Sequence, residues 1–254
     1  MLTVSCTPST KRLASRGDAR DGGGTVTATV RATSKGSTSQ RASYEREARV
    51  PPAVVRFADA VLRRSGVLAG SDRRDVERID RIRAALMAVP RDQFVEPRYQ
   101  GRVLEDTGLS SGFGQISPAP FLIARMLFAA RIDPGATVLE LGCGSGYMSA
   151  LMCALGARVF AAEGIGLRAQ STRRHLDALG FNRVLIATGF LAWAEAGPFD
   201  AVIVNEEKQE PAVFERLIQL LRPGGRLVIP SSGQGIGAVS VIERGENGEA
   251  IHVL

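Results

Sequence analysis

An α/β fold with a doubly wound, mostly parallel sheet is predicted by three features of the chain. From residue 119 onward, short apolar strands alternate with helical segments of about ten to fourteen residues, the pattern of a parallel sheet covered on both faces. The first of these strands, "TVLELG", runs into three glycines at alternate positions, Gly142, Gly144 and Gly146, before the next helix begins. At the C-terminal end, "AVSVIER" and "EAIHVL" flank "GENG", and Asn247-Gly248 is a strong hairpin signal, so the sheet closes with an antiparallel hairpin.

Residues 1–48 form a separate segment of Ser, Thr, Gly and Arg. The stretch "TSKGSTSQRAS" carries no large apolar side chain, and such a segment cannot bury enough surface to offset its ordering entropy. It is expected to be disordered. The chain as a whole carries a formal charge of +6, but residues 1–49 hold nine basic and four acidic side chains, leaving +1 for the remainder. A nucleic-acid binder places its basic stripe on the folded body, so no nucleic-acid partner is expected. No apolar run approaches the roughly 18–20 residues of a membrane span, and the N-terminus lacks the apolar core of a secretory signal. Cys6, Cys143 and Cys153 are far apart and form no CxxC pair, which suits a reducing cytoplasm and argues against a disulfide framework or a zinc site.

Residues 49–254 are expected to fold as one domain opening with helices. "PPAVVRFADAVLRRSG" has prolines at its start and Gly66 past its end. In "RRDVERIDRIRAALMAV", Val76, Ile79, Ile82, Leu86 and Val89 recur at helical spacing, and Pro90 stops the run. "PFLIARMLFAARI" follows as a helix. Next come the strand "TVLELG", the helix "YMSALMCALG", the strand "ARVFAAE" and the helix "LRAQSTRRHLDALG". The strands "RVLIAT" and "FDAVIVN", the helix "EPAVFERLIQLL", a "PGG" turn and the strand "RLVIP" complete the series.

The glycines stand where open α/β sheets bind ligands, at the carboxyl end of a strand. Residues without Cβ let the backbone approach a ligand and take positive φ. The spacing Gly-x-Gly-x-Gly is neither the dinucleotide fingerprint nor a P-loop, and no Lys-Ser/Thr follows. Glu140 lies two residues before the first glycine, and Glu163 ends the next strand, where a carboxylate can accept both hydroxyls of a ribose. This pattern resembles class I S-adenosyl-L-methionine-dependent methyltransferases, a Rossmann-like fold. A phosphate-free, sulfonium-bearing ligand needs no anion site and suits neighbouring carboxylates.

Two further stretches are similar to the protein-L-isoaspartate O-methyltransferase family. "ALMAVPRDQFVEP", residues 85–97, resembles that family's N-terminal signature, and "EDTGLSSGFGQISPAPFLIARM", residues 105–126, resembles the segment before its first strand. "VLELGCGSGY", "PFDAVIV" and "LRPGGRLVIP" follow in the family's order. The resemblance spans about residues 75–254. It implies methyl transfer from S-adenosyl-L-methionine to the free carboxylate of L-isoaspartyl residues in damaged proteins, with repair through a succinimide. It further implies a cytoplasmic monomer whose partners are those damaged proteins. Gly142, Gly144, Gly146 and Glu140 would then line the cofactor and Glu163 its ribose. Asp106, Gln115 and Ser117 would serve the acceptor side.

The chain departs from the family at the site. Where the family has Thr-Ile-Ser, Ile116-Ser117-Pro118 stand without a gap, so the acceptor hydroxyl position is either Pro118 or, with a compensated deletion, Ser117. An aspartate that binds adenine in the family is replaced by Phe190, which can stack on the base. Asn205, Glu206, Glu207 and Lys208 stand where the family has small neutral residues. A methyltransferase with another acceptor, or a non-catalytic protein on the same fold, are the alternatives these changes raise. Cys143 reads as a small filler, Trp193 as a packing residue, "TRRHLD" as a solvated face, and His175 and His252 as incidental.

Overall fold

The computed structural model describes residues 27–32, 44–67, 72–189, 192–205, 211–231 and 237–252. Within the segment expected to be disordered, β1 (Thr27–Ala32) and β2 (Tyr44–Arg49) pair antiparallel from Thr27 opposite Arg49 to Ala32 opposite Tyr44. Thr27, Thr29 and Val30 supply the β-branched residues that a strand favours, which the general composition of the tail obscured.

Helix α1 (Pro52–Ser65) starts with proline and ends on Gly66 in the left-handed conformation, φ 73°. Helix α2 (Arg73–Ala88) is capped by Asp72, whose carboxylate accepts the Arg74 N–H at 3.1 Å. Ile79, Ile82 and Leu86 are buried as expected, but Val76 is 47 % exposed; Arg78 and Ala85 complete the buried face. Two 3-10 turns, Arg91–Phe94 and Pro97–Arg102, lead to helix α3 (Pro120–Ala129).

The alternating half follows in order: β3 (Thr137–Leu141), α4 (Tyr147–Ala154), β4 (Arg158–Glu163), α5 (Gly166–Ala178), β5 (Val184–Thr188), β6 (Phe199–Val204), α6 (Pro211–Gln219), β7 (Leu221–Ser231), β8 (Ala238–Arg244) and β9 (Ala250–His252). The seven-stranded sheet has the order β5-β4-β3-β6-β7-β8-β9. Neighbours from β5 to β7 are parallel, and β8 and β9 add antiparallel. The "PGG" stretch read as a turn lies inside β7. Leu221 pairs with Phe199 and Arg226 with Ala201, so the glycines form a bulge rather than an end.

Successive residues of each central strand enter different cores. Val138, Ala161 and Ile203 join the core built with α1 to α5, while Leu139, Phe160, Val202 and Leu227 join the one closed by Leu217 of α6 and by Trp193. Trp193 packs edge-on against Phe160 at 5.1 Å and donates its indole N–H to the Ala161 carbonyl at 2.8 Å. The strand order turns back between β3 and β6. A ligand cleft is expected beyond the carboxyl ends of those two strands.

Candidate active site

A cavity of about 220 Å³ opens at that switch point. Its floor is the glycine turn. Gly142, Gly144 and Gly146 take φ of 75°, 59° and 85°, a region that side chains disfavour. The turn is held from below and beside. The N–H groups of Gly142 and Cys143 donate to the Ala162 carbonyl, and the Thr172 hydroxyl donates to the Gly144 carbonyl at 2.7 Å. Thr172 belongs to the "TRRHLD" stretch of α5, and this buried residue, together with Leu176, departs from the expected solvated face. A Cβ on Gly146 would lie 2.9 Å from both Leu176 and Thr172 side chains. Gly146→Ala therefore combines a left-handed residue with overlap against a packed helix. It should destabilise the protein by about 2–4 kcal/mol, read as the midpoint shift in urea unfolding.

Both expected carboxylates line the cavity. Glu163 is buried at the end of β4; one oxygen accepts the Gly144 N–H at 3.0 Å and the other accepts the Ile165 N–H at 3.1 Å. Each oxygen keeps a further lone pair for a ligand hydroxyl. Glu140 is fully buried, accepts the Ser149 hydroxyl and accepts the Asn205 side-chain N–H at 2.9 Å. Burial pushes its carboxyl up to about 7, against the pull of those two hydrogen bonds and with a smaller push from Glu163. The Asn205 Nδ2 also donates to the Gly142 carbonyl at 3.0 Å, which fixes the amide's orientation and leaves its Oδ1 buried with no partner among the described residues. Burial likewise raises the Cys143 thiol far above its usual range, in keeping with a filler role.

The roof is a hairpin. Ser110 pairs with Ile116, the Ser111 N–H donates to the Gln115 carbonyl at 3.0 Å, and Gly112, Phe113 and Gly114 turn the tip with positive φ. Arg91 of the "VPRDQF" stretch anchors its approach. Its buried guanidinium donates to the carbonyls of Val103, Glu105 and Thr107 at 3.0, 2.7 and 2.6 Å. Gln115, Ser117 and Pro118 all face the cavity. The Ser117 hydroxyl donates to the Leu109 carbonyl at 3.1 Å, whereas the exposed Gln115 side chain makes no hydrogen bond to the described residues.

Asp106 is not brought to the cavity. Its carboxylate accepts the Phe121 N–H at 2.8 Å and pairs with Arg64 at 3.1 Å. Helix α3 begins at Ala119-Pro120, and Ala119 has no capping side chain, so an acid from fourteen residues before Pro120 satisfies the free N–H. Phe190 lies outside the described residues, as do Glu206, Glu207 and Lys208. The reading of the sequence missed Arg168, Ser149 and Thr172 as parts of the site, because each sits in a helix whose local pattern says nothing of its long-range neighbours.

A larger cavity, about 480 Å³, opens at the opposite, amino ends of β6 and β7. Four of its arginines pair with neighbouring acids, as in Arg78–Asp75 at 2.6 Å and Arg81–Asp133 at 2.8 Å, and the strand ends there are not the ligand-binding ends of such a sheet. Among the described residues no cluster of three metal-ligating side chains exists, and no described helix is long and apolar enough to cross a membrane.

The donor set of the smaller cavity fits S-adenosylmethionine. Two buried carboxylates and an amide oxygen with no partner among the described residues line it against a single arginine, Arg168, and nothing in the turn is arranged for phosphate. The fold and cavity are those of a class I methyltransferase that uses this cofactor. A family model for Protein-L-isoaspartate(D-aspartate) O-methyltransferase (PCMT) matches residues 63–253. The chain is 39 % identical over 172 residues to a protein-L-isoaspartate O-methyltransferase of Stenotrophomonas maltophilia, covering 67 % of this chain and 76 % of that one. It is 39 % identical over 153 residues to one of Gloeobacter violaceus, covering 59 % and 74 %. A solved protein-L-isoaspartate O-methyltransferase superposes with a TM-score of 0.59 at 22 % identity over 79 % of this chain and 64 % of that chain. A beta-aspartate methyltransferase from Plasmodium falciparum in complex with S-adenosyl-L-homocysteine superposes with 0.59 at 19 % identity over 79 % and 94 %; both likenesses speak for the fold. The chain belongs to the protein-L-isoaspartate(D-aspartate) O-methyltransferase family.

Proposed function

We propose that this protein methylates the free carboxylate of L-isoaspartyl residues in damaged proteins, which then revert in part to aspartate through a succinimide. The observation that carries this reading is the cavity itself: a carboxylate-flanked glycine turn as floor and the 110–118 hairpin as roof. S-adenosylmethionine, when bound, supplies a methyl group already attached to a good leaving group. The chain's task is to hold the acceptor oxygen in line with it and to exclude water.

In this reading Glu163 accepts the ribose hydroxyls through its remaining lone pairs. Glu140 faces the cationic end of the cofactor, and Asn205 Oδ1 accepts a hydrogen from it. Gln115 carries the unengaged amide donor of the roof and is the group best placed to hold the acceptor carboxylate. Ser117 serves that role only if its hydroxyl turns away from Leu109, since Pro118 has no N–H to offer. A carboxylate needs no general base. Accordingly, His175 stacks edge-on against Phe94 and His252 lies on the outermost strand, both away from the cavity.

The test is a pair of peptides differing only in an isoaspartyl or aspartyl linkage. Methyl transfer to the isoaspartyl peptide alone is expected. Equal rates on both, or none on either while the cofactor binds, would overturn the assignment in favour of another acceptor.

A further inference from the structure

Arg168 is the one cationic side chain among the described residues lining the active-site cavity. It stands in the first turn of α5 yet is only 6 % exposed. Its guanidinium reaches in two directions. Toward the floor, Nε lies 3.9 Å from Glu163 Oε2, too far for a hydrogen bond but close in charge. Toward the roof, Nη2 donates to the Ser111 hydroxyl at 3.0 Å, and the Phe113 ring centre is 6.0 Å away. A Cβ on Gly144 would stand 2.8 Å from Nη2, so the missing side chain at Gly144 leaves the space the guanidinium occupies.

This is a poor arrangement for stability alone. Nε is buried with no hydrogen-bond partner among the described residues, and the carboxylate contact is not the two-pronged pairing that arginine makes best. An apolar side chain of similar size would fill the same space without desolvating a charge. What the guanidinium does achieve is to connect two pieces of chain 57 residues apart in sequence from its own position to Ser111, across the mouth of the cavity.

Resting on the methyltransferase reading above, we propose that Arg168 is a positioning residue: it ties the roof hairpin at Ser111 to the cofactor carboxylate Glu163, so that Gln115 and Ser117 stand over the reacting groups. The tether acts at both ends. Its charge holds the Glu163 carboxylate toward the cavity, and its N–H holds the hairpin down.

The experiment compares Arg168→Leu, Arg168→Lys, Ser111→Ala and the Arg168→Leu/Ser111→Ala double variant. The readouts are hydrogen exchange of the residue 109–117 amides in the free protein, calorimetric affinity for S-adenosylhomocysteine, and kcat and KM on an isoaspartyl peptide. Arg168→Leu and Ser111→Ala should each speed exchange in the hairpin about tenfold and raise the peptide KM by a similar factor, with kcat changed less; the double variant should match Arg168→Leu alone because both cut one link. Arg168→Leu should weaken S-adenosylhomocysteine binding, Ser111→Ala should not, and Arg168→Lys should restore binding but not hairpin protection. Should Arg168→Leu fail to fold, Ser111→Ala still reports the roof end, since that hydroxyl's other contact is a long 3.4 Å one to the Gln115 carbonyl. Unchanged exchange in Ser111→Ala, or additive effects in the double variant, would overturn the proposal. If the wild-type protein binds S-adenosylhomocysteine but leaves the peptide untouched, the acceptor assignment fails while exchange and calorimetry still decide the tether.

Discussion

Glu163→Ala is expected to lose the cofactor and much of the stability together. In the folded protein this carboxylate accepts the Gly144 and Ile165 N–H groups and balances the buried Arg168 guanidinium. Alanine leaves two backbone donors unsatisfied and a buried cation without its counter-charge. Breaking a buried pair from one side costs about 3–5 kcal/mol. For a chain of this size that corresponds to a fall in Tm of roughly 10 °C. Glu163→Gln separates the two effects. It keeps the shape and one acceptor oxygen, so most of the fold should survive, while affinity for S-adenosylmethionine falls about tenfold or more because one ribose acceptor and the charge are gone. Scanning calorimetry and titration of the two variants side by side check this. Normal cofactor affinity in Glu163→Gln would remove Glu163 from the ribose site.

Glu140→Gln should abolish a pH dependence that the wild-type protein shows near neutrality. Burial holds the Glu140 carboxyl up to about 7, so in the free protein it is largely protonated at pH 6 and ionised at pH 8. A cationic ligand beside it favours the ionised form. Affinity for S-adenosylmethionine should therefore rise as pH increases toward 7 and level off above it, with a proton released on binding below that point. Glutamine keeps the contacts with Asn205 and Ser149 within reach but carries no charge. Its affinity should be flat with pH and, at pH 8, about tenfold or more below wild type, or roughly 1.4 kcal/mol. The stability of the free protein moves the other way. With the folded value raised above the ordinary 4.5, the folded state holds a proton the unfolded chain has lost, so this contribution is full below 4.5 and is lost as pH rises through about 7. Glu140→Gln should remove that decline. Titration calorimetry in two buffers of different ionisation enthalpy measures the proton release directly, and its absence in the wild type would count against a cation at Glu140.

The two carboxylates were legible in the sequence because their positions are set locally. Glu140 is the penultimate residue of β3 and Glu163 the last of β4, and in a parallel sheet the carboxyl ends of adjacent strands come together by construction. The glycine turn was legible for the same reason: three positive-φ positions within five residues are a backbone requirement, written in residue type. The place of Asp106 was not legible, because an acid beside an acceptor motif and an acid that caps a later helix look alike until the chain is folded. The absence of a capping side chain at Ala119 was visible, but not which distant residue would supply it.

By itself, then, the amino-acid order determined the alternating architecture, the end of the sheet that carries the site, and the glycine turn with its flanking acids, since each follows from periodicity and backbone preference over a few residues. Tertiary structure alone decided the rest: that Arg168 turns inward beneath Ser111, that Asn205 locks Glu140, that Thr172 and Leu176 close off the turn, and that Asp106 meets the first turn of α3. The reason is physical. Those contacts join residues 15 to 65 positions apart in the chain, and what brings such groups within 3 Å is the packing of helices on the sheet, which no local pattern encodes.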